Sequence, residues 1–168
     1  STNTTIGGTA AGAGNAIASS GLAGIYVASG TSHAILGNGI YGNTGSGIDL
    51  GANGVLPNDT GDADTGANNG QNFPVLTKAV TTGNLVQLTG TLNSTASSYF
   101  RVEFFASASG DGTGYGEGQT YLGSVNAATN SAGSATFDVT LPAPVAVGAV
   151  VSATATRSTS TYATFTDT

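Results

Sequence analysis

The stretch "NDTGDADTG" (58–66) places Asp59, Asp62 and Asp64 within six positions of a chain that carries little charge elsewhere. Carboxylates held this close repel one another unless a cation or hydrogen-bond donors offset their charge. Hard divalent cations take about six to eight oxygen ligands from carboxylates, amides and backbone carbonyls. A Gly-containing loop with Asn58, Asn68 and Asn69 nearby offers such a set. The residue types therefore predict a Ca²⁺ site built from Asp49, Asn58, Asp59, Asp62 and Asp64. The spacing is not that of an EF-hand, whose loop closes on a glutamate. The competing expectation is a solvated turn in which the aspartates hydrogen-bond their own backbone. A second, weaker candidate is Asp111 with Glu117 in "DGTGYGEGQ" (111–119).

The same carboxylates could in principle serve a glycosidase, which needs two of them facing one groove. A polysaccharide lyase needs a cationic base, and the one lysine is Lys78. His33 is the sole histidine and lies in no G-x-S-x-G context, so no nucleophile elbow is present. It reads as a polar corner residue. No catalytic residue is assigned. Tyr26, Tyr41 and Tyr115 are aromatic rings that a carbohydrate-binding module would present.

Composition narrows the partners. The 168 residues include three Lys and Arg, nine Asp and Glu, and no Cys, Met or Trp, for a formal net charge of −6. Phosphate contacts need clustered Lys and Arg, so nucleic acid is not an expected partner. No disulfide is possible. No apolar run is long enough to span a membrane. The dominance of Gly, Ala, Ser, Thr and Asn is common in secreted bacterial surface proteins, which places the chain outside the cell or on its surface.

Two kinds of element would position the acidic loop. "GNAI" (14–17) matches "GNGI" (37–40), and "GIYV" (24–27) matches "GIDL" (47–50), both at an offset of 23. A repeat of short apolar beats divided by glycines predicts parallel β-solenoid coils over 1–50, with identical positions stacked about 4.8 Å apart. "TIGG" (5–8) and "HAILG" (33–37) supply the third strand of each coil, and "TAAGAG" (9–14) is an extra loop in the first. Ile25 and Val27 point inward with Ile48 and Leu50 stacked on them; Tyr26 and Asp49 point outward. Residues 73–168 change grammar. "FPVLTKAV", "LVQLTGTL", "YFRVEFFAS", "TYLGSVNA", "ATFDVTL", "AVVSATATR" and "YATFTD" read as strands divided by turn residues, which suggests an Ig-like β-sandwich. The fold class is all-β, and the acidic joint spans 51–72.

With these residues in view, "GIDLGANGVLPNDTGDADTGANNGQNFPVL", followed by "GTLNST", "FRVEFFAS", "GYGEGQTYLGS" and "ATATR", resembles a module of large secreted bacterial proteins. In that family, right-handed parallel β-helix repeats end in a "GIDLG…ND…GD.DTG…QNFPVL" joint and run into an Ig-like domain. The resemblance spans about residues 3–157 and implies an extracellular or cell-surface role without one defined activity. The chain departs from the family after "ATAT", where "RSTSTYATFTDT" replaces an acidic stretch.

The expectation is a non-enzymatic structural module, either a self-assembling surface filament subunit or a segment of a large adhesin. The alternatives are a carbohydrate-binding module and a fragment of a polysaccharide-active enzyme. Two coils have two ends with unpaired backbone groups, and 1–50 contain no Lys, Arg or Pro to blunt them. The expected partners are therefore further coils of a parent chain or copies joined head-to-tail, with "STNTT" and "YATFTDT" as strands that could add across the contact.

Overall fold

The computed structural model describes residues 2–51 and 54–158. The protein is all-β. Six three-residue strands come first: β1 (Thr5–Gly7), β2 (Ala16–Ala18), β3 (Ile25–Val27), β4 (Ala34–Leu36), β5 (Gly39–Tyr41) and β6 (Ile48–Leu50). They pair in parallel as β1–β4, β2–β5 and β3–β6. Ile17 lies opposite Ile40, Ile25 opposite Ile48 and Tyr26 opposite Asp49, each at the repeat offset. Thr5 lies opposite Ala34, six positions further apart, because the loop at 9–14 lengthens the first level. These sheets are small, with two strands each. A solenoid's longer stack is not present among the described residues.

The repeat's glycines have a steric cause. A side chain on Gly14 would run into the carbonyl oxygen of Gly37 on the level below. A Cβ on Gly24 would lie 2.6 Å from Ile40 Cγ2 and 2.9 Å from the Gly47 oxygen. Between the levels lies an apolar centre of Ile25, Val27, Ile35 and Ile40, packed by Ile6, Ile17, Ile48 and Leu50 and closed by Ala67.

The second half is a sandwich of two antiparallel sheets. Its strands are β7 (Val75–Thr82), β8 (Leu85–Asn93), β9 (Tyr99–Ser107), β10 (Thr120–Ala128), β11 (Ser134–Leu141) and β12 (Val150–Ser158). The sheet orders are β11–β8–β7 and β10–β9–β12. Alternation fixes the faces: Val86, Leu88 and Leu92 of β8 meet Phe100, Val102 and Phe104 of β9 in one core, with Phe137 edge-on to Phe104. Six of the seven strand segments expected in this half form strands. The seventh, "YATFTD", lies outside the described residues. Among the described residues no helix is long and apolar enough to cross a membrane.

Candidate functional site

The outward side chains of β9 are the start of the site. Arg101, Glu103 and Phe105 alternate away from the sandwich core, yet Glu103 is fully buried and Phe105 is 5% exposed. They are buried because the second level of short strands lies against this face. Gly37 N–H donates to Glu103 Oε2 at 2.9 Å. Glu103 Oε1 is held by Arg101 Nε at 2.8 Å. Beside it, Ile40 N–H donates to the Gly118 carbonyl at 2.7 Å in an antiparallel bridge. Glu117 accepts from Asn43 Nδ2 at 2.7 Å and from Asn43 N–H at 3.2 Å.

Asparagines carry the bonding through the short-strand half. Asn38 Oδ1 takes the main-chain and side-chain N–H groups of Asn15, and its own Nδ2 donates to the Ile6 carbonyl. Asn43 Oδ1 takes Ser20 N–H. Both asparagines are buried. An amide has two donors and an acceptor oxygen, so one side chain can bond two levels at once.

The joint uses the same chemistry. A short 3₁₀ turn at Ala67–Gly70 contains Asn68 and Asn69 in left-handed conformation, at φ 47° and 54°. Asn68 forms a reciprocal pair with the backbone of His33, at 2.9 and 2.8 Å. Asn58 does the same with Phe73, at 2.9 and 2.8 Å. Asn72 accepts from Asp59 N–H and donates to the carbonyls of Asp59 and Asn93. Buried backbone groups need such partners, and here the amide side chains supply what strand pairing does not.

The aspartates go to different places. Asp62 takes Asn72 N–H at 2.9 Å and the Ser94 hydroxyl at 2.5 Å. Asp59 takes Ala63 N–H across its own turn. Asp49 takes Gly54 N–H at 3.3 Å. Asp64 lies over Gly70. Among the described residues no three His, Cys, Asp or Glu side chains are grouped so as to hold a metal ion. Of the expected ligand set, Asp49, Asn58, Asp59 and Asp62 each carry a separate hydrogen bond, and Asp64 lies over Gly70. At Asp59 and Asp62 the charge is met by separate donors, Ala63 N–H for one and Asn72 N–H with the Ser94 hydroxyl for the other.

The second candidate also divides. Asp111 Oδ1 accepts from Thr113, Gly114 and Gly116 and folds its own loop, while Glu117 turns toward Asn43. Asp59 Oδ1 and Asp111 Oδ2 are buried without a hydrogen-bond partner among the described residues; they belong to separate loops. His33 sits at the corner expected of it, with Nδ1 accepting from Thr4 N–H. Tyr26 and Tyr115 are exposed, and Tyr115 meets Phe73 edge-on at 5.5 Å.

The residues missed from sequence are Glu103 and Asn38. Nothing in "FRVEFFA" distinguishes a buried glutamate from a solvated one. Asn38 was signalled, however, by the repeated "GN" at 14–15 and 37–38. Comparison with known proteins gave no matching family model and no matching curated protein.

Proposed function

We propose that this chain is a non-enzymatic extracellular structural module: coils of a right-handed parallel β-solenoid closed by an Ig-like sandwich and serving in a surface filament or adhesin. The observation that carries this reading is the lock between the halves. Glu103 and Glu117 extend from the sandwich and take backbone N–H groups of the second level at Gly37 and Asn43. Carboxylates committed to buried backbone donors serve shape. Charge-assisted hydrogen bonds of this type are among the stronger ones.

The lock also changes how assembly can occur. The second level is covered by the sandwich, so coil-on-coil growth between copies has no second free edge to use. The first level is more open at β1 and β2, which hold no buried residue, whereas β4 holds two. A further parallel coil fits that edge, as a segment of a longer surface protein would supply it. The extracellular setting rests on the cysteine-free, small-residue composition and on the family resemblance.

A second reading has a specific observation in its favour. Tyr115 and Phe73 stand at a cleft between the halves, where a sugar ring could stack. The experiment that separates the readings is a glycan array and a polysaccharide turnover assay alongside light scattering of the purified chain. Assembly without turnover supports the structural module. Turnover abolished by changing Asp49 or Asp59 overturns it.

A further inference from the structure

β10 and β11 close one side of the sandwich, and β7 and β12, which also touch, leave the other side wider. Among the described residues β12 pairs with β9 alone. A cleft of about 990 Å³ runs along this opening, and both faces of β12 line it. Val151, Ala153 and Ala155 face the sandwich core; Ser152, Thr154 and Thr156 alternate to the other face. The hydroxyl oxygen of Thr154 is buried with no hydrogen-bond partner among the described residues. The far wall is the short-strand half, including His33 and Ile48.

Natural sheets blunt a free edge with lysine, proline, a bulge or a cover. β12 carries one charge, Arg157, whose guanidinium donates to the Ser98 hydroxyl; the seven residues before it, "VVSATAT", have neither charge nor proline, and the pairing of β12 with β9 is unbroken in register. This is an edge prepared for a strand.

We propose that residues 162–167 of a second copy, "YATFTD", insert into this cleft as an added strand on β12. The proposal rests on the structural-module reading and names its partner. The segment has the β-branched and aromatic content that suits a strand. Successive side chains of a strand point to opposite faces, so Tyr162 and Phe165 are presented on opposite sides. A strand in this slot is walled on both faces, and one aromatic suits each wall. The wall toward the core offers Val151, Ala153 and Ala155 to one face of such a strand, and Ser152, Thr154 and Thr156 offer hydroxyls to the other.

Turn chemistry favours a copy over the same chain as the occupant, although Ser19, Ser32 and Ser97 take positive φ elsewhere in this protein. To fold back onto β12 the chain would turn through Thr159, Ser160 and Thr161. Tight hairpins need positive φ at one or two turn positions and favour Gly, Asn or Asp there. A segment arriving from another copy needs no turn. Each copy then has one cleft and one donor strand, a head-to-tail contact that need not close and so builds a filament.

The test uses full-length chains in three forms. The parent chain should show a mass that grows with concentration in light scattering. Tyr162→Asp with Phe165→Asp disables the donor, and Thr154→Lys disables the cleft; each variant alone should be monomeric. Mixed, they should form a 1:1 dimer and stop there, since only one productive contact remains. If Thr154→Lys does not fold by circular dichroism, a synthetic peptide of residues 159–168 replaces it and should bind the donor-disabled chain saturably. A parent chain that stays monomeric, variants that still associate as the parent does, or a mixture and a peptide that do not bind would each overturn the proposal. Loss of melting temperature in a monomeric donor variant would show insertion within one chain, which also overturns it. The lock at Glu103 and Glu117 places the far wall of the cleft, and its failure is read separately, by the stability of Glu103→Ala.

Discussion

Asn38 Oδ1 accepts two hydrogen bonds from Asn15, one from its backbone N–H at 3.0 Å and one from its side chain at 2.9 Å, across 23 residues of chain. The two asparagines occupy equivalent repeat positions, and the pair binds one level to the next. Asn38 is 3% exposed, while Asn15, whose donors it accepts, is exposed, so water can replace part of what its removal takes away. Asn38→Ala should lower unfolding free energy by about 1–2 kcal/mol, since a net hydrogen bond contributes about 0.5–1.5 kcal/mol and several are lost together. Denaturant unfolding measures this. A loss within error of zero would mean the ladder contributes nothing net.

The lock predicts an asymmetry between the two glutamates. Glu103 is fully buried and paired with Arg101. Removing one partner of a buried pair costs about 3–5 kcal/mol, so Glu103→Ala should be the more damaging change. Glu117→Ala leaves Asn43 short of an acceptor and should cost about 1–3 kcal/mol. Amide hydrogen exchange should also show faster exchange at Gly37 and Asn43 in the respective variants. Unchanged protection at those amides would refute the lock.

Calcium is decided at Asp62. Its two oxygens take Asn72 N–H and the Ser94 hydroxyl, bonds to a charged acceptor worth about 1.5–3 kcal/mol each. Asp62→Ala should therefore lower stability by a few kcal/mol, and by the same amount with and without chelator. A ligand that binds only the folded state raises its melting temperature by mass action. A calcium-dependent rise that Asp62→Ala abolishes would establish the cation reading of the joint.

Gly24 tests the packing of the levels. A Cβ there would meet Ile40 Cγ2 at 2.6 Å and Asn43 Nδ2 at 2.9 Å. Overpacking of this type costs about 1–3 kcal/mol. Gly24→Ala should lower the melting temperature, whereas Gly21→Ala, where a Cβ meets nothing within 4 Å, should not. Equal effects at both sites would refute a steric role for the repeat glycine.

Local order was legible in the sequence, and distant partners were not. The offset of 23 between "GNAI" and "GNGI" contains the pairing of Ile17 with Ile40, because residues that stack in parallel must recur at one period. The alternation in "RVEFFA" contains the two faces of β9, because the side-chain period of a strand is two. Six strands of the sandwich followed from β-rich runs bounded by turn residues. The fate of each polar group was decided only by the tertiary structure. Asp59 and Asp62 are close in sequence, and the turn between them directs one carboxylate to Ala63 N–H and the other to Asn72 N–H and the Ser94 hydroxyl. Glu103 looks like a surface residue, and it is buried because a second face of the same strand is covered by a half of the chain 66 positions away. Periodicity reports which side of a strand a residue occupies; what lies on that side depends on how the halves pack.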